Sequence, residues 1–333
     1  MLLREMCFGY YDTQCLFTVA ALQIADYLEH GPKSIVDLAA LAAVKSDKLL
    51  RVMRYLAFKQ VFTALPNDCF DLNAHSRPLL SSHPQSMLHF IQLHAVYFYQ
   101  GAAMLKDSMA VEDSSFELAF GTLAGQHFRQ NPQAKLIYHQ AMRESTEYYA
   151  QLIVDRYDFS PYRCVIDIGG GLGVLLAQIF LQHDHLVGVN FDVPDLQLTA
   201  EQYLDQHGMA SRIQYQGGDF QQSVPTGGDL YIMKAILHSM PDDAALTVLR
   251  HCRAAIAPAG RLLLVERLMF EALDTDSDAA THDINMLNVT RGRVRSLANF
   301  EDLLQQSGWQ LQQQQRLSAS LSILECVSEG ACT

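Results

Sequence analysis

"CVIDIGGGLG", residues 164–173, runs an apolar stretch rich in β-branched residues straight into a glycine cluster. Such a run suits a strand buried on both faces, and the glycines let backbone pass close to a ligand at the start of the next helix. The same rhythm returns in "LVGVNFD" (186–192), "IQYQGGD" (213–219), "LYIMKAIL" (230–237) and "GRLLLVE" (260–266), with helical periodicity between them. Five such strands alternating with helices predict a Rossmann-like, doubly wound, mostly parallel α/β sheet. "WQLQQQQRL" (309–317) and "SLSILECV" (320–327) then predict an antiparallel hairpin at its edge, the glutamines solvated.

Ligands of open α/β sheets bind beyond the carboxyl ends of the strands. Read in order, those ends carry "DIGGGLG", "NFDVP", "GGDF", Lys234 with His238, and Glu266. Gly169, Gly171 and Gly173 follow G-x-G-x-G, whereas a dinucleotide fingerprint wants its third glycine at 174, where Val174 stands. Asp192 can accept both hydroxyls of a ribose, and Asp219 followed by Phe220 can hold an adenine amino group and cover the ring. No P-loop Lys-Ser/Thr occurs, so nucleoside triphosphates are not indicated. After strand four, Ser239-x-x-Asp242 with Pro241 reads as a helix start, leaving His238 at the junction. Taken alone, a strand-end histidine hydrogen-bonded to backbone explains it; taken with the other four strand ends, a reactive imidazole does.

Working back toward residue 1, "FTVAALQIADYL" (17–28), "SIVDLAALAAV" (34–44) and "KSDKLLRVMRYLAF" (45–58) have apolar residues at helical spacing. Ser34 and Ser46 are expected helix starts, and "QVFTALPNDCFDLN" (60–73) reads as two short strands around a turn. Three helices and a wing make a mainly helical winged-helix unit. Its third helix offers only Lys45, Lys48, Arg51 and Arg54 in an acidic chain, which favours a protein partner over DNA. "MLHFIQLHAVYFYQGAAML" (87–105) and "AKLIYHQAMRESTEYYAQLI" (134–153) are helical and rich in Met and aromatics, suiting either ordinary packing or the wall of an apolar cavity. Two domains are expected, 1–105 and 106–333.

Composition narrows the class. The net charge is −12 and 49% of the 333 residues are hydrophobic, which argues for a packed globular chain and against nucleic acid or anionic membrane as partner. Seven cysteines, scattered and never in C-x-x-C, argue for reduced thiols and against a disulfide framework or a thiolate metal site. No apolar run reaches the ~18 residues of a membrane span, and "MLLREMCFGYYDTQ" (1–14) lacks a signal peptide's apolar stretch, so a cytoplasmic location is expected.

With "GPKSIVDLA", "LLRVMRYLA…VF", "FELAFGT", "QNPQAKLIYHQAM", "VIDIGGGLG", "FDVP", "GGDF", "LHSMPDD" and "LLLVE" in hand, the chain resembles, over nearly its whole length, the two-domain S-adenosylmethionine-dependent small-molecule O-methyltransferases. The resemblance implies a homodimer formed through the front domain and S-adenosylmethionine as cofactor, with no metal. It places Asp167, Gly169, Gly171, Asp192, Asp219 and Phe220 around that cofactor. Lys234 matches a further position near it, although a solvated strand-end lysine accounts for Lys234 equally well. It makes His238 the general base and Glu266 the carboxylate that orients it; a neutral imidazole can accept a proton from a phenol or enol. Phe128, Tyr138, Met142, Asn285 and Met286 fall where an aromatic acceptor would lie, and core packing explains each of them as well.

Three positions depart from the family pattern. Ser239 and Met240 stand where Asp and Trp usually follow the histidine, and Val294 in "RGRVRSLANF" (291–300) stands where a second carboxylate is usual. One carboxylate is therefore expected beside the base. The alternative kept open is a non-methylating enzyme on the same scaffold, binding S-adenosylmethionine for cyclisation, hydroxylation or decarboxylation.

Overall fold

The computed structural model describes residues 2–269 and 278–329, which form two compact units. The first takes the chain to residue 100 together with 126–145, and the second takes 101–125 and everything from 146.

In the first unit the helices Tyr10–Ala21, Ile35–Leu41 and Ser46–Phe58 pack around Val19, Ile24, Leu38, Met53, Leu56 and Phe62. Ser34 caps its helix by accepting from the Asp37 amide. Ser46 does not cap: it is the first helical residue, and Lys45 precedes it without a side-chain cap. The wing is present as Thr63–Leu65 paired antiparallel with Cys69–Asp71, and a third short strand, Lys33–Ser34, adds to the far edge of the latter.

The second unit is built on a mixed sheet. Its main strands are β1 (Cys164–Ile168), β2 (Val187–Asp192), β3 (Ile213–Gly217), β4 (Leu230–Lys234), β5 (Arg261–Met269), β6 (Trp309–Arg316) and β7 (Leu321–Ser328), and a two-residue strand, Arg295–Ser296, pairs parallel with the end of β5. They run in the order β6-β7-β5-β4-β1-β2-β3, parallel from β5 to β3 and antiparallel across the hairpin. Alternate residues of the central strands feed two cores, as the near-continuous apolar runs require. Val165, Ile232, Leu263 and Val265 face one; Ile166, Tyr231, Met233, Leu262 and Leu264 face the other. Most of the β6 glutamines are exposed on the edge strand, where polar side chains suit an unpaired edge.

Two expectations at the strand-four junction are corrected. β4 stops at Lys234 rather than running through Leu237: Ala235 sits in the left-handed region at φ 57°, and Leu237–Ser239 form a 3₁₀ turn. Ser239 does not cap the next helix, because its hydroxyl donates to Ile236 O; that helix starts at Asp242 behind Pro241 with no side-chain cap. β5 also runs past Glu266 to Met269, so Glu266 lies inside a strand and is fully buried.

Candidate active site

The glycine turn after β1 is tied to the end of β2. Gly169 N–H donates to Phe191 O at 2.8 Å and Gly171 N–H to Asp192 Oδ2 at 2.8 Å. Asn190 Nδ2 donates to Gly171 O at 2.9 Å, so both peptide groups of Gly171 are held. Gly169, Gly171 and Gly173 have φ of 73°, 59° and 84°, a region open to glycine at no steric cost. A Cβ on Gly169 would lie 2.4 Å from Ile236 Cδ1 and 3.9 Å from Phe220 Cε1, so this glycine lets the segments after β1, β3 and β4 converge. A Cβ on Gly171 would meet no atom within 4 Å: the turn encloses open space there.

Two polar groups at this end of the sheet lack hydrogen-bonding partners among the described residues. Asp167 is buried and Lys234 half-buried, and neither side chain makes a hydrogen bond or ion pair among the described residues. Dehydration pushes the Asp167 carboxyl up to about 7, against the pull of Lys234 and with a push from Asp192. Dehydration likewise lowers the Lys234 ammonium to about 8, opposed by Asp167. Asp192 is raised by dehydration, while the amides of Val193 and Gly171 that it accepts from pull the other way. Asp219 is exposed, and its carboxylate is held within its own loop by the Gln221 amide at 2.9 Å and the Gln222 side chain at 3.3 Å.

His238 comes to the same end of the sheet by a different device. Glu266 Oε1, buried in β5, accepts from the amides of Ile236 (2.9 Å) and Leu237 (2.8 Å), which the kink at Ala235 has freed from the ladder. That places His238 Nδ1 3.1 Å from Glu266 Oε2, with the histidine side chain 13% exposed and the carboxylate 0%. The contact is close but not well aligned, and Oε2 has no donor of good hydrogen-bond geometry. Catalytic pairs often align fully only once substrate is bound. Burial works to raise the Glu266 carboxyl, but the imidazole and the two amides outweigh it and hold it below the usual carboxylate range. The left-handed Ala235 is a strained non-glycine conformation of the kind that gathers at functional sites.

Asn285 and Met286 lie on the helix Ala279–Val289 of this unit: Asn285 is half-buried, while Met286 packs with Ala279 and Val294. Val294 is buried, and its amide donates to Asp283 Oδ1 at 2.8 Å. Phe128, Tyr138 and Met142 belong to the first unit, where Phe128 stacks on Tyr138 with centroids 4.7 Å apart and Tyr97 meets it edge-on at 5.5 Å. Two contributors escaped the sequence reading. Asn190 is a polar residue in an otherwise apolar strand, a signal open to notice. Arg295, fully buried, carries no such signal because arginine patterns as a surface residue.

The open space at Gly171 and the unpartnered Asp167 and Lys234 beside a carboxylate at the end of β2 suit a cationic adenosyl compound better than a triphosphate. Comparison with known proteins agrees. The O-methyltransferase domain family matches residues 102–310 and the O-methyltransferase dimerisation domain family residues 4–82. The phenazine O-methyltransferase PhzM of Lysobacter antibioticus is 33% identical over 97% of this chain and 95% of its own. The 3-amino-4-hydroxybenzoate 4-O-methyltransferase of Streptomyces cremeus is 31% identical over 93% and 85%. The crystal structure of LaPhzM superposes with a TM-score of 0.93 at 33% identity, covering 98% of both chains. That of CalO1 from calicheamicin biosynthesis, with S-adenosylhomocysteine bound, gives 0.85 at 26% identity over 98% and 97%. The chain belongs to the two-domain S-adenosylmethionine-dependent O-methyltransferases.

Proposed function

We propose that this methyltransferase alkylates a hydroxyl of a flat, largely apolar aromatic or polyketide-like molecule, with His238 taking the hydroxyl proton. The observation that carries this reading is the His238–Glu266 pair: an imidazole at the sheet's carboxyl end, backed by a buried carboxylate 3.1 Å away. S-adenosylmethionine supplies an already activated methyl when bound, so the protein's part is alignment and proton removal. Glu266 orients the imidazole and stabilises its charged form. Gly169, Gly171 and Asp167 would hold the amino-acid end of the cofactor, Asp192 its ribose and Asp219 with Phe220 its adenine, and Lys234 stands beside Asp167. Asn285 and Met286 would face the acceptor from the second unit. Aromatic acceptors also appear in the names of the relatives above. The front domain would pair two copies; the exposed Leu2, Leu3 and Met6 give it apolar surface to bury. Arg54 and Lys59 are neutralised by Asp68 and Asp12, which disfavours DNA as its partner. No helix among the described residues is long and apolar enough to cross a membrane, and a cytoplasmic location fits the reduced cysteines.

Incubation with methyl-labelled S-adenosylmethionine and a panel of phenols, hydroxyquinones and hydroxynaphthoates tests the reading. Label on an acceptor oxygen is the expected result. Cofactor bound but never converted to S-adenosylhomocysteine by any of them would overturn it in favour of non-methylating chemistry, for which the valine at 294 leaves room.

The raised Asp167 carboxyl sets a pH dependence. If the carboxylate form holds the cofactor's ammonium, binding must expel the proton that Asp167 keeps below about 7. Affinity for S-adenosylhomocysteine, measured by calorimetry, will therefore fall toward ~10-fold per pH unit below that value and level off above it. Asp167→Asn will flatten the profile; an unchanged slope in that variant would assign the proton elsewhere.

A further inference from the structure

We infer that Arg295 is a positioning residue for His238, holding the base-bearing turn through backbone carbonyls on both sides of the imidazole. This rests on the reading of His238 as the base. The Arg295 side chain is 0% exposed. Its guanidinium donates to Leu237 O, to Met240 O at 2.8 Å, and to Asp242 Oδ1 from Nε at 2.9 Å and Nη2 at 2.7 Å. These acceptors precede His238 by one residue and follow it by two and four. β4 ends at Lys234 and the next helix begins only at Asp242; between them Leu237 O has from the backbone only a long 3.4 Å contact with Met240 N, and a buried carbonyl without a good donor is costly.

The neighbouring residues press the same turn into place. A Cβ on Gly292 would lie 2.0 Å from His238 O and 2.5 Å from Met240 N, so the 291–295 segment lies directly against the turn. Arg293 donates to the other oxygen of Asp242 at 2.8 Å. Arg291 anchors the segment's start to Glu117 at 2.7 and 3.1 Å and to Asp113 at 2.6 Å. Burying a guanidinium is costly unless its partners are excellent, and an apolar side chain could fill the same volume. What an apolar side chain cannot do is grip three separately directed acceptors, and lysine, a point charge, cannot do it either. With valine at 294, the turn's position depends on Glu266 beneath it and Arg295 beside it.

Kinetics of the full-length Arg295→Lys, His238→Ala and double variants test the assignment, using labelled S-adenosylmethionine and the fastest acceptor of the panel. Arg295→Lys will lower kcat on the order of 10²-fold, the usual cost of a displaced catalytic group. The cofactor KM and calorimetric binding of S-adenosylhomocysteine will stay within ~2-fold, and the double variant will be no slower than His238→Ala, since both act through one group. A nitro-substituted acceptor, already ionised at the assay pH, will narrow the Arg295→Lys deficit. A slow His238→Ala enzyme beside an Arg295→Lys enzyme of wild-type kcat overturns this inference alone, as does a double variant slower by the full product of the two effects. His238→Ala at the wild-type rate removes the base and this inference with it. Asp242→Asn, which keeps an oxygen to accept from Arg295 but removes the charge that holds it, will give the same kinetic pattern in weaker form and serves as the test if Arg295→Lys fails to fold.

Discussion

His238→Ala will lower kcat by about 10²–10⁴-fold on a weakly acidic phenol, the range usual for loss of a positioned base. The side chain contributes to neither core of the sheet, and the glycine turn is held by Asn190, Phe191 and Asp192, so S-adenosylhomocysteine will bind as before. Glu266→Gln is the appropriate companion, because a side-chain carbonyl can still accept from Ile236 and Leu237 while the charge beneath the imidazole is gone. Glu266→Ala would add about 1–3 kcal/mol for each buried amide left unpaired and mix a folding defect into the rate. A His238→Ala enzyme within ~3-fold of wild type would fall far short of any general-base contribution and move the proton acceptor to another group.

The second large effect separates two adjacent glycines. A Cβ on Gly170 would lie 2.0 Å from Asn190 Oδ1 and 2.8 Å from Asp167 Oδ2, both buried side chains. Asn190 cannot yield without releasing Gly171 O. Gly170→Ala therefore destabilises the protein by about 1–3 kcal/mol, as overpacking does, before any ligand is added. At about 2–4 °C per kcal/mol, thermal melting will show this as a fall of ~2–12 °C. Gly171→Ala meets no atom within 4 Å and bears only the strain of its left-handed φ of 59°, so its melting temperature falls less. Its new methyl enters the space assigned to the cofactor, and calorimetry will show S-adenosylhomocysteine binding lost. Wild-type affinity in Gly171→Ala would mean that the ligand lies elsewhere.

Several features were legible before any coordinates. The apolar runs ending in glycine or acid, from "CVIDIGGGLG" to "GRLLLVE", give the parallel sheet, because a strand covered on both faces can hold little else. The polar residues closing each of those runs pointed to one end of the sheet, since every parallel strand delivers its carboxyl end to the same side. The strand-four junction was less legible. "LYIMKAIL" is apolar throughout, and periodicity alone does not reveal that Ala235 turns left-handed and stops the strand three residues early.

Pattern and propensity thus determined the strands, the layers and the polar residues that close each strand, all consequences of local burial along the chain. Tertiary packing alone decided that Glu266 accepts from the Ile236 and Leu237 amides, that Arg295 grips the same turn through carbonyls, and that Asn190 holds Gly171. Each of these contacts satisfies a backbone group left over where a strand ends. Such groups are identical in every residue, so only the path of the chain shows which side chain meets them.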